Sequence, residues 1–278
     1  MVSVIKSVNE RVVYLLQLIA EHEYMSFEEM YLLFGTYSTA SRYLNFLKNM
    51  GMIQEFVTKL KPSKAYCLSK SGWQVLAQTG KLRVDEKFNL SDYNYVKFPH
   101  NIACLRVRIL FEKHPLVVDF KSSKVVLYEL KQKVVEKEKV FRKQWKQFDA
   151  EMFVKGKKEY KVGVEVELTQ KSSEAYAKKF LSIEATRNDI DFVAWLCSDQ
   201  TILDKLIEIA RGLEMKVASY KHRFCLLNEF FEKRFETLWY TVQGDRELLL
   251  PWPVPLSSQG STKQEKEQQG DRVNGTTH

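Results

Sequence analysis

The run Tyr160 to Leu168, YKVGVEVEL, limits what this chain can fold into more than any other nine residues. Val162, Val164, Val166 and Leu168 alternate, and successive side chains of a β-strand point to opposite faces. Glu165 and Glu167 fill positions between them, so the two carboxylates project together. Solitary carboxylates are costly to bury. The preceding run, Phe148 to Val154, also reads as a strand, and Lys155-Gly-Lys-Lys158 is a basic turn between the two. As hairpin neighbours they bring Asp149 to the same point. Asp149, Glu165 and Glu167 then form a hard-oxygen site suited to Mg²⁺ or Mn²⁺. Such an ion polarises a phosphate and acidifies a bound water. The plainer alternative is a solvated edge, or acids paired with Lys161, Lys171 or Lys178. Lys178 and Lys179 lie on the next predicted helix, Ser172 to Arg187, placed to return over this surface.

The first eighty residues read as helix, helix, helix, hairpin, helix. Val12, Leu15, Leu16 and Ile19 form one stripe of a helix over Val8 to Glu21. Ser26-Phe-Glu-Glu29 is a capping box, and Gly35 breaks the short helix that it opens. A third helix runs to Asn49, with Ser38 or Thr39 as its cap. Tyr43, Phe46, Leu47 and Met50 are spaced there for burial, and Ser41, Arg42, Asn45 and Lys48 lie opposite. Strands are predicted over Ile53 to Leu60 and Ala65 to Leu68, with a helix beginning at Ser71. Thr79 to Tyr95 reads as a linker. A helix follows over Phe98 to Lys113, then strand-like segments at Val117 to Phe120 and Lys124 to Leu130. Phe192 to Cys197 and Arg223 to Leu227 complete the strands, with a helix over Thr201 to Gly212 between them. Strands mixed with helices make this half α/β or α+β. The residues from Pro251 onward lack periodicity and read as a disordered tail.

Charge narrows the class of partner. Basic residues outnumber acidic ones by 43 to 35, and the excess is concentrated. Arg42 to Lys70 holds six basic residues and one acid, Glu55, while Lys121 to Lys161 holds 13 basic residues against six acidic. Segregation of this kind favours a polyanionic partner. Phe141 and Trp145, inside the second basic run, could stack on bases but read more simply as packed under it. The four cysteines are far apart and form no CxxC, a reduced, cytoplasmic pattern without a zinc knuckle. Cys104, Cys197 and Trp195 read as core residues. No apolar run approaches membrane length, and the N-terminus lacks the order of a secretory signal. There is no Gly-rich phosphate loop, no G-x-S-x-G and no His cluster beside a Tyr. His22, His114 and His222 have no partner at readable spacing, and His100, at a helix start, reads as a cap or core residue.

Residues 1–78 resemble a winged helix-turn-helix domain. The resemblance rests on the spacing around Gly35, the Asn49 to Ile53 junction, the basic tip Lys59, Lys61 and Lys64, and YCLSKSGWQVL from Tyr66 to Leu76. It implies a duplex-DNA reader in which Ser38, Ser41, Arg42, Asn45 and Lys48 face the major groove and the wing lysines face phosphates. Residues 96–250 resemble the PD-(D/E)xK nuclease-like fold, with a mixed sheet, behind a linker at 79–95 and ahead of a tail at 251–278. The whole chain resembles the replication-relaxation family of plasmid and mobile-element proteins through PHNIACLRVRILFE, FDAEMFV and VGVEVELTQKSSEAYAKKFLSI. By that resemblance Asp149 matches the first acid and Glu165 the second, and Glu167 stands where the nuclease pattern has Lys. Lys178 would replace that lysine from the helix. The resemblance implies recognition of an origin for replication or mobilisation, recruitment of a relaxase or replication protein, and Mg²⁺ as cofactor if the site cuts DNA. The missing strand lysine favours a binding scaffold over an endonuclease. A competing class is a transcription regulator whose C-terminal half dimerises.

Overall fold

Asn9 opens α1 (Glu10–His22) by accepting the Val12 N–H at 3.0 Å. The predicted capping box forms at α2 (Phe27–Phe34), which ends on Gly35 at φ +75°, a left-handed turn that suits glycine. Next come α3 (Tyr37–Asn49), the antiparallel hairpin β1 (Ile53–Val57) and β2 (Lys64–Leu68), and α4 (Lys70–Gln78). Met25 bridges to Tyr66, adding a third, single-residue rung beside β2. Leu15, Leu16, Ile19, Met30, Leu47 and Leu76 close one core between these elements. This computed structural model describes residues 8–57, 59–60, 62, 64–82, 96–133 and 147–249. Lys61, most of the expected linker, Phe141, Trp145 and the expected tail lie outside that set.

The second half is built on a mixed seven-stranded sheet, ordered β3 to β9 without permutation, so the chain is α+β. Its strands are β3 (Val117–Ser122), β4 (Ala150–Lys155), β5 (Glu159–Glu167), β6 (Phe192–Cys197), β7 (His222–Leu226), β8 (Leu238–Tyr240) and β9 (Arg246–Leu248). The central pairs β5/β6 and β6/β7 are parallel and the flanking pairs antiparallel. Parallel neighbours need crossovers. These are α7 (Ser173–Thr186) and α8 (Gln200–Gly212), which bury Tyr176, Phe180, Ile183, Leu203 and Leu206 against Val193, Trp195 and Phe224. The opposite face carries α5 (Phe98–Glu112) and α9 (Leu227–Lys233), packed on Val162, Val164, Val166 and Leu196. With both faces covered, a strand such as Phe192–Cys197 is apolar throughout.

Three expectations are corrected. Lys124 to Leu130 is no strand: it lies in α6 (Ser123–Lys133), whose Val125 N–H meets the Ser122 hydroxyl at 3.4 Å. The apolar run there is too short for periodicity to separate helix from strand. The first hairpin strand stops at Val57, short of Leu60. Finally, α9, β8 and β9 were not foreseen, because no apolar alternation marks residues 228–249.

The two halves share α5. Its Leu105 and Ile109 belong to the N-terminal core, while Ala103, Cys104, Val107, Leu110 and Phe111 belong to the sheet core. Charge fixes the same joint. Arg108 is buried against Glu21 and also bonds Glu112 at 3.0 Å, and the Ser122 hydroxyl donates to Glu21 at 3.1 Å. Arg106 pairs with Glu29 at 2.6 Å and Glu28 at 3.0 Å, and Lys124 with Glu23 at 2.9 Å.

Candidate functional site

The carboxylates of the sheet meet under α7. Strand β5 is central, and its Glu165 and Glu167 are 1% and 2% exposed, so they are neither at an edge nor in water. Lys179 reaches down from α7 and sets its ammonium 2.7 Å from Glu165 and in contact with Glu167. Lys171 pairs with Glu167 at 2.8 Å from the solvent side. The Lys179 ammonium also lies 4.9 Å from the Trp195 ring, which sits opposite Glu165 on β6. Burial works against the lysine charge, yet Glu165, Glu167 and Asp149 outweigh it and hold Lys179 well above its ordinary pKa. Lys178 is exposed on the outer side of α7. Lys179, not Lys178, therefore supplies the ammonium beside these acids, and the pairing of Glu167 with Lys171 is present as well.

Asp149 stands one residue before β4. Its N–H bonds the Val164 carbonyl at 3.1 Å, and its Oδ2 accepts the Val166 N–H at 2.8 Å. His100, near the start of α5, places Nε2 3.3 Å from the same oxygen. Burial would raise the carboxyl pKa, but the His100 bond and charge, the Lys179 charge and the Val166 N–H depress it to about 2. Burial lowers His100 in turn, and the Asp149 bond and charge overcome that, leaving it above its usual value. His100 is therefore more than a cap or packing residue. One turn along α5, the Cys104 thiol lies 3.7 Å from His100 Nδ1 and 3.9 Å from Nε2.

The residues that the sequence suggests as a Mg²⁺ set, Asp149, Glu165 and Glu167, do share one neighbourhood. They do not fit a Mg²⁺ ion as arranged. The Lys179 ammonium lies between the two glutamates, where a cation would have to sit, and Asp149 Oδ2 is turned to His100 and the Val166 N–H rather than to them. A second charged cluster continues along the same sheet face. Arg187 and Lys161 both meet Glu151, at 2.6 and 2.8 Å, and Arg187 bonds Asp189 at 2.9 Å. Between the clusters Phe148 lies on Gly163, where a Cβ would come within 2.7 Å of the ring. Glycine alone permits that approach.

On the N-terminal unit, Ser38, Arg42, Asn45 and Lys48 are exposed along α3 and Ser41 is half-buried. Tyr43, Leu44 and Leu47 face the core. Lys59 and Lys64 are exposed in the hairpin, and Lys61 lies outside the described residues. Glu55, the one acid of this stretch, is 3.8 Å from Lys48 and 3.4 Å from Lys64 and offsets part of their charge. Tyr37, the first residue of α3, is 70% exposed, with its ring centroid 5.0 Å from that of Phe27.

A cleft of about 700 Å³ opens between α1 and β3. Four of its polar lining residues, Tyr14, Glu21, Arg108 and Glu112, are already engaged in the joint between the two halves. No helix among the described residues is long and apolar enough to cross a membrane. Comparison with family models, with curated proteins and with solved structures finds no match to this chain.

Proposed function

We propose that this chain binds duplex DNA through its first 78 residues, as the reader of a plasmid or mobile-element origin. The observation that carries the reading is α3. It turns Tyr43, Leu44 and Leu47 into the core and presents Ser38, Arg42, Asn45 and Lys48 outward beside a hairpin bearing Lys59 and Lys64. A helix with a polar outer face fits a major groove, and hairpin lysines reach flanking phosphates. The Met25–Tyr66 rung supports the winged-helix interpretation, because it gives the hairpin the third short strand such domains carry. The origin, and recruitment of a relaxase or replication protein by the sheet half, rest on the resemblance to the replication-relaxation family. The sheet half acts as a scaffold in this reading. Supporting this, a lysine rather than a free coordination position lies between its two buried glutamates.

The test uses two sets of variants. Reversing charge at Arg42 and Lys48 together is expected to abolish preference for a cognate duplex. Neutralising Lys59, Lys61 and Lys64 is expected to weaken all duplexes alike. The slope of log affinity against log salt should flatten by about 0.9 for each phosphate that a lysine no longer neutralises. Unchanged affinity in both sets refutes the reading. Genome-wide occupancy then separates an origin reader from a transcription regulator, which would give peaks at promoters.

A further inference from the structure

We propose that His100, Cys104 and Asp149 form a binding site for a transition-metal ion of the Zn²⁺ class, with one coordination position open. The site shares only Asp149 with the Mg²⁺ set that Lys179 disqualifies, and it does not depend on the DNA reading.

Sequence and fold supply the geometry. His100 and Cys104 are four residues apart on α5, so they lie on one helical face a turn apart. The β4–β5 pairing brings Asp149 to that face from the sheet. One ligand atom from each residue falls within 4.8 Å of the other two. Zinc bonds of about 2.0–2.3 Å, arranged tetrahedrally, place ligand atoms roughly 3.3–3.6 Å apart. His100 Nε2 and Asp149 Oδ2 are at 3.3 Å, and Cys104 Sγ is 3.9 Å from the same nitrogen. The sulfur is as near Nδ1, at 3.7 Å, as Nε2, so it lies beside the ring, and coordination requires the His100 ring and the Cys104 rotamer to turn together.

The donor chemistry selects the ion. An imidazole, a thiolate and one carboxylate suit Zn²⁺ or Co²⁺, whereas Mg²⁺ requires hard oxygens. Support around the ligands is in place, since Val166 N–H orients the Asp149 carboxylate at 2.8 Å. Cys104 is buried, while the His100 and Asp149 side chains are 37% and 26% exposed. The fourth position therefore opens toward solvent, where water or a ligand atom can complete the shell. Binding replaces the Cys104 thiol proton with the ion and releases that proton to buffer.

The experiment titrates the full chain, stripped with chelator and fully reduced, with Co²⁺. One equivalent is expected to give a thiolate-to-cobalt charge-transfer band with intense tetrahedral ligand-field bands, all bleached by Zn²⁺. Cys104→Ser should remove the charge-transfer band, and His100→Ala and Asp149→Asn should each weaken binding at least tenfold. Cys225→Ala, which alters a buried thiol outside the set, should leave the spectrum unchanged. The wild-type titration decides the matter even where a variant fails to fold. A folded wild-type chain without the band overturns the proposal, as does a band that survives Cys104→Ser. Competition by Mn²⁺ that is indifferent to Cys104→Ser would assign the ion to the carboxylates instead, and would equally overturn it.

Discussion

Lys178 and Lys179 are adjacent, yet only one is held by the fold. On α7 the buried stripe is Tyr176, Phe180 and Ile183, and Lys179 stands three residues after the first and four before the last. That spacing puts it on the inward side, over Glu165 and Glu167. Lys178 is turned out to solvent. Lys179→Met is expected to leave two buried carboxylates without their main counter-charge and to cost about 3–5 kcal/mol of stability. Lys178→Met should stay within about 0.5 kcal/mol of the parent protein. Denaturant unfolding of both variants checks the contrast, and equal costs would contradict the assignment. Helical phase separates the two lysines on this stretch, and the expectation placed on Lys178 did not use it. The partner of His100 was less legible, because Asp149 is 49 residues away and only strand pairing brings it near.

Among the elements, those with local signals were legible. The Ser26–Glu29 capping box, the left-handed Gly35 and the apolar run of β6 all appear where the sequence places them. Segments whose shape depends on distant neighbours were not. Helix α6 follows a serine cap at the end of β3 and buries Val125 and Val126, and the four-residue apolar run Val125 to Tyr128 carries no period that distinguishes this from a strand. The short strand β8 exists because β7 offers it an edge, and β9 adds to β8 in turn. The sharing of α5 was also hidden, since its two apolar sides read as one ordinary amphipathic helix. Its ion pairs with α1 are testable at this scale. Arg108→Met strands the buried Glu21 carboxylate and should cost about 3–5 kcal/mol. Adding Glu21→Leu should recover most of that stability, because the pair is then replaced by apolar groups. Unfolding midpoints of the single and double variants measure both effects, and a double variant no better than the single would contradict the account.

For the whole molecule, acid sensitivity follows from a buried imidazole. His222 is fully buried, accepts the Trp195 indole N–H at 3.1 Å and faces Glu184, Lys221 and Arg223. Burial, aided by the two cations, keeps its pKa below the ordinary 6.5 despite the pull of Glu184. An unfolded chain takes up this proton as pH falls through 6.5, and the folded chain refuses it. Stability should therefore decline on the acid side of that value and owe no slope to His222 above it. His222→Asn should show a shallower decline as pH falls below 6.5 in denaturant midpoints. It would not be flat, because His22 and His114 are lowered in the same sense. Identical slopes in the two proteins would contradict the argument. If the N-terminal unit binds duplex DNA as proposed, the helix common to both cores has a consequence for how copies would be arranged along it. Because α5 is pinned to the N-terminal unit by Arg106 and Arg108 and is built into the sheet, the sheet takes a set azimuth around any duplex that the N-terminal unit grips. Copies bound to tandem sites would then present their sheets on one side of the duplex only when the sites are spaced by whole turns of about 10.5 base pairs. A half-turn insertion would place those sheets on opposite sides, so under the proposed DNA reading the phasing of repeats would become part of the recognised signal.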